Sequence, residues 1–93
     1  MSTLTFKPGA ELTFKSVVTI REKLSNALLD TANNRLCLDL SEVIHCDSAG
    51  MALLVEIRKL CKQKNKIFEV IGMSAEAQSL ADFCGVKDIL ETV

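Results

Sequence analysis

The chain has 93 residues, which suits one domain spanning 1–93 and leaves no room for a second. It is 48% apolar and 25% charged, as in soluble globular proteins, and its four aromatics are all Phe, so Leu, Ile and Val must supply the core. Its 11 basic and 12 acidic side chains give a net charge of −1, which argues against a nucleic-acid binder.

Leu4–Lys7 and Glu11–Phe14 flank the turn signal Pro8-Gly9 and carry strand-forming residues, which predicts an opening β-hairpin. From Val17 the period changes. Val17, Ile20, Leu24 and Leu28 recur at spacings of 3, 4 and 4, one stripe of a helix. Ser16 is its expected N-cap, and Asn33-Asn34 is expected to close it in a left-handed turn. Leu36, Leu38 and Leu40 then alternate with Cys37 and Asp39, a strand apolar enough on both faces to lie centrally. Ser48 to Gln63 reads as a second helix with the core stripe Leu53, Leu54, Ile57, Leu60 and Cys61. Lys62, Lys64 and Lys66 gather near its C-terminal end, where cations suit the helix dipole. Ile67 to Ile71 is a β-branched strand ended by Gly72. Ser74 caps a third helix carrying Ala77, Leu80, Ala81 and Cys84, with Gly85 as its stop, and Val86 to Leu90 is a last short element, strand or helical turn. Strands alternating with helices imply an α/β fold with parallel pairing through right-handed crossovers.

The longest apolar run, Met51 to Val55, is far below the roughly 20 residues a bilayer span needs. The N-terminus lacks the charged and apolar segments of a signal peptide, so a cytoplasmic location is expected, either free or held at the inner membrane through a partner. Cys37, Cys46, Cys61 and Cys84 are spaced 9, 15 and 23 apart with a single His, a poor set for zinc, and they read as reduced thiols among apolar neighbours. No metal or cofactor is expected.

The stretch from Leu38 to Leu54 carries the functional signal. A strand ends there, and the small polar group Asp47-Ser48-Ala49-Gly50 opens a helix, the kind of junction where open parallel sheets place binding sites. Phosphorylation of Ser48 would add about −1.5 to −2 charge beside the positive helix end, which the fold could tolerate. The plainer alternative is that Asp47 or Ser48 only caps the helix. Gly50 serves either close packing or a flat partner surface. Met51, Ala52 and Val55 either form an exposed apolar strip beside Ser48, continued by Arg58, Lys59 and Lys62, or pack in part beneath the opening hairpin. His45, Asp47 and Ser48 are letters of nucleophilic catalysis, but they are too close in sequence for a relay unless the loop folds back, and no nucleophile elbow or phosphate loop accompanies them. An enzyme is not expected.

The pattern from Asp39 to Gly50, D-L-S-x-V-x-x-x-D-S-x-G, resembles the signature of STAS domains. That resemblance implies a single domain with a four- to five-stranded mixed sheet flanked by helices, and a protein-binding role without catalysis. Ser48 matches the residue phosphorylated in anti-sigma-factor antagonists, and Asp47 the acidic residue beside it. The run Ala49-Gly50-Met51-Ala52-Leu53-Leu54 looks more like the small STAS subunit of phospholipid-trafficking (Mla-type) ABC transporters. Two partners are therefore expected in turn: first an ABC transporter ATPase subunit, docked through Asp47, Ser48, Ala49, Gly50, Met51, Ala52 and Val55 with Arg58 or Lys59 at the rim. The alternative is a kinase-type anti-sigma factor, with Ser48 as the phosphorylation switch.

Overall fold

In chain order the elements are strand β1 (Ser2–Phe6), strand β2 (Glu11–Leu12), helix α1 (Val17–Ala27), strand β3 (Asn33–Asp39), strand β4 (His45–Cys46), helix α2 (Ser48–Gln63), strand β5 (Ile67–Ile71) and helix α3 (Ala75–Phe83). They come from a computed structural model that describes residues 2–30 and 32–87. The α/β class expected from the alternating periods holds.

β3 is central, with β1 and β5 parallel on either side, and β2 pairs with β4, also in parallel. Register sets the layers. Leu4, Leu36 and Phe68 stand in one row across the three strands, and Phe6, Leu38 and Val70 in the next row on the same face. This face meets Ile20, Leu24 and Leu28 of the α1 side and Leu53, Leu54, Ile57 and Cys61 of α2 in one core. Each such aliphatic side chain contributes about 1.5–3 kcal/mol on burial. The opposite row, Thr5, Cys37 and Glu69, is polar at both ends, and two ion pairs, Arg35–Glu69 and Lys7–Asp39, lie across that outer face.

Three expectations are corrected here. The opening segments do not form a hairpin: β1 pairs with β3, and β2 with β4. Pro8-Gly9 marks where the chain bends, with Gly9 at φ 92°, but a bend does not choose the strand's partner. Leu12 does, because it is only 1% exposed between β4 and α2. The expected mixture of strand directions is likewise absent, since all pairings among the described residues are parallel. Asn33-Asn34 does not close α1, which ends at Ala27; both residues already belong to β3. The left-handed residue is instead Asn65, at φ 58°, where α2 ends with Asn65 N–H donating to the Lys62 carbonyl and Lys66 N–H to the Cys61 carbonyl. Ser16 does occupy the N-cap of α1, yet its hydroxyl turns back to the Glu11 carbonyl instead of capping the helix. Gly85, at φ 74°, stops α3 as expected. Of the last expected element, residues 88–90 lie outside the described residues.

Candidate partner-binding site at the start of α2

β4 delivers the chain directly into α2, so the junction residues are held by strand pairing on one side and helix on the other. Asp47 is the N-cap. Its Oδ1 accepts the Gly50 N–H at 3.0 Å, and its Oδ2 accepts the Phe14 N–H at 3.0 Å. Its own N–H donates to the Leu12 carbonyl at 3.3 Å. One carboxylate thus ties the segment after β2 to the first turn of α2. These amides, Phe14 foremost and then Gly50 and Ala49, hold the Asp47 carboxyl below the usual carboxylate range. Both of its carboxylate oxygens are engaged by the fold.

Gly50 lies under the same junction. A Cβ built there would stand 2.1 Å from the Leu12 carbonyl oxygen, a backbone atom that cannot move without shifting β2. Close packing therefore accounts for this glycine, and it is buried. Met51 requires a further correction. It is only 1% exposed and belongs to the core, so it cannot line a surface strip. The helical period explains this: Met51 sits three residues before Leu54 and continues the buried stripe into the first turn.

What remains outward is narrower than the sequence suggested. Ser48 is exposed at the first helical position, with no hydrogen bond to its hydroxyl among the described residues. Ala52 is exposed one turn later, Ala49 and Val55 are half-buried, Arg58 is half-buried and Lys59 exposed. His45 is exposed, and no hydrogen bond joins it to Asp47 or Ser48 among the described residues, whereas the Asp47 carboxylate is taken up by backbone amides. The three side chains do not form a relay.

Two residues that the sequence reading had not singled out stand close to this face. Phe14, whose amide is bound by Asp47, leaves its ring 68% exposed with Lys15 Nζ 5.9 Å from the ring centroid. Val18 in the first turn of α1 is 58% exposed. An ion pair between Arg21 Nε and Glu56 Oε2 at 2.6 Å aligns the two helices, and Val18 and Ala52 each lie about one turn before that pair. The available signal for Val18 was an apolar residue off the Val17-Ile20-Leu24-Leu28 stripe. Nothing local distinguished Phe14 from a strand residue.

The sequence profile of the STAS domain matches residues 2–93. The chain belongs to the STAS family. Among the relatives of this STAS domain, the anti-sigma-B factor antagonist of Bacillus subtilis (strain 168) is 29% identical over 83 residues, which cover 89% of this chain and 74% of the relative. The unphosphorylated form of the anti-sigma factor antagonist SpoIIAA superposes with a TM-score of 0.80 at 19% identity, over 98% of this chain and 78% of SpoIIAA. The phosphorylated form of SpoIIAA, a Bacillus cell fate determinant, gives 0.72 at 19% identity, over 97% and 80%. At that identity the two structures speak for the fold. No helix among the described residues is long and apolar enough to cross a membrane.

Proposed function

We propose that this STAS domain is a protein-binding module without a reaction of its own, acting as an anti-sigma-factor antagonist switched by phosphorylation of Ser48. The observation that carries this is the state of the Ser48 hydroxyl: exposed, unengaged, and first in a 16-residue helix whose cap Asp47 has both carboxylate oxygens held by backbone amides. Similarity to an anti-sigma-B factor antagonist supports the choice of partner, a kinase-type anti-sigma factor. Ser48 and Ala52 would enter the contact, with Asp47 holding the loop, Ala49 and Val55 at its flanks and Lys59 at the rim. Gly50 and Met51 act from beneath, by keeping α2 seated.

The switch follows from the surroundings. Transfer forms a bond from Ser48 Oγ to the γ-phosphorus of ATP, breaks the bond to the ADP oxygen, and leaves the hydroxyl proton with a base of the kinase. The product carries about −1.5 to −2 charge. The α2 N-terminus tolerates that charge in the free domain. Burying it against a partner beside Ala52 removes water from a dianion, a cost of several kcal/mol unless cations meet it.

The test is calorimetric titration against the ATPase-type anti-sigma factor of the same genome, with and without ATP. Wild type and Ser48→Ala should bind alike, Ser48→Asp at least tenfold more weakly, and phosphate should appear on wild type alone. Equal binding by Ser48→Asp together with no phosphate transfer would overturn the proposal. A second reading, docking on the ATPase of a phospholipid-trafficking ABC transporter, rests on the resemblance of the run Ala49-Gly50-Met51-Ala52-Leu53-Leu54, with Ala52 exposed, to the small subunit of such transporters. Co-purification with that ATPase, lost in Ser48→Arg and unaffected by ATP, is its signature.

A further inference from the structure

At the other end of α2, about 24 Å from Ser48 by helix rise, lies a cleft of about 380 Å³. Its wall combines Lys64 and Lys66 with Asn33, Asn34 and Asn65, and Leu29 forms an apolar side. Residues 58–66 hold five cations and no acid in a chain of net charge −1, so the remainder carries −6. Positive charge is concentrated in this segment of the chain.

The cations are not explained by ion pairing. The pairs among the described residues use Lys7, Arg21 and Arg35, none of them from this segment. Lys66 Nζ is fixed by two neutral carbonyls, those of Asp30 and Asn33, so its position is set without an ion pair among the described residues. The Asp30 carboxylate itself turns onto the Ala32 amide. Helix dipoles account for part of the excess. Lys62 lies in the last turn of α2, where a cation suits the dipole, and Lys66 is held by the carbonyls of Asp30, after α1, and of Asn33, at the start of β3. Lys64 is the C-cap residue of α2; it is exposed, it lines the cleft, and it makes no ion pair among the described residues.

We propose that this cleft binds a phosphate-bearing ligand. The Lys64 ammonium and the fixed Lys66 charge supply attraction, and the side-chain amides of Asn34 and Asn65 supply neutral donors for phosphate oxygens. The volume falls in the range of small-molecule sites and admits a phosphate with a small polar body. A soluble phosphoester and a lipid headgroup present the same chemistry, and their sources are separable by experiment.

The amide spectrum of the isotope-labelled full chain is titrated with inorganic phosphate and with glycerol 3-phosphate, against sodium chloride at equal ionic strength. Sedimentation with phosphatidylglycerol vesicles, and with phosphatidylcholine vesicles as control, forms the second arm. Saturable shifts confined to residues 28–34 and 64–66, weakened at least tenfold in Lys64→Glu and unchanged in Ser48→Ala, establish a soluble phosphoester site. Retention on phosphatidylglycerol alone, lost in Lys64→Glu, assigns the site to a headgroup. Shifts reproduced by chloride, or a Lys64→Glu variant that behaves as wild type in both arms, overturn the proposal. Lys64 makes no side-chain contact that the fold needs, so the variant retains its structure.

Discussion

The inward and outward halves of the first turn of α2 are interleaved in sequence yet serve opposite ends. Asp47, Gly50 and Met51 point toward the fold: one bridges two segments, one lets β2 approach, and one fills the core. Ser48 and Ala52 point to solvent and touch little. The difference teaches that a motif can be mostly scaffold. In D-S-x-G the Asp and the Gly are taken up by the fold, while the Ser stands exposed.

The comparison is broken most forcefully at Met51. Met51→Ala should cost about 2–5 kcal/mol in denaturant unfolding, because a side chain 1% exposed leaves a cavity beneath the helix. An unchanged midpoint would return Met51 to the surface. Gly50→Ala comes next, at about 1–3 kcal/mol, since the new methyl meets the Leu12 carbonyl and β2 must shift. Both variants should bind a partner normally at temperatures where they remain folded.

Asp47→Asn should cost about 1 kcal/mol. The amide oxygen can still accept from Gly50, whereas the NH2 group faces the Phe14 N–H, donor against donor. The pH dependence follows from the same contacts. The folded carboxyl lies below its unfolded value of about 3.9, so the unfolded chain takes up the proton first. The stability Asp47 adds is present above that value and is lost as pH falls through the folded one. Urea titrations should therefore show wild type and Asp47→Asn differing by a constant amount near neutrality and converging in acid. The smallest stability effect belongs to Ser48→Ala, within about 0.5 kcal/mol. Ala52→Glu should be equally silent in unfolding and should weaken partner capture at least tenfold, which sharpens the division between the two halves.

Free thiols provide a separate check on burial. Burial pushes the Cys61 and Cys46 thiols up to about 11, with nearby Asp47 adding to the effect at Cys46. Labelling of the native protein by a thiol reagent at neutral pH should leave Cys61 unmodified until the protein unfolds, as peptide mapping would show.

Much of this architecture was legible because period and burial coincide. The stripes Val17-Ile20-Leu24-Leu28 and Leu53-Leu54-Ile57-Leu60-Cys61 and the alternation around Cys37 each report one face, and each face met the core. The boundaries Ser48–Gln63 and Ile67–Ile71 were legible too, with a cap or a glycine at their ends. Where the reading went astray, the deciding contact was distant in sequence. Leu12 pairs across to Cys46, Phe14 answers Asp47, and Gly50 answers Leu12. β4, only two residues long, carried no pattern of its own, and Asn65 ended a helix whose close the sequence left to its lysines.

The sequence by itself determined the α/β class, the STAS family and the position of Ser48 at the mouth of α2, since these depend on local period and on a short contiguous motif. Tertiary structure alone decided that β2 runs parallel to β4, that Gly50 and Met51 lie inside, and that the Phe14 amide meets Asp47. It also brought Lys64 and Lys66 to one cleft with Asn33 and Asn34. The physical reason is that local sequence fixes which way a side chain points from its own element, whereas what it meets there depends on how the elements pack.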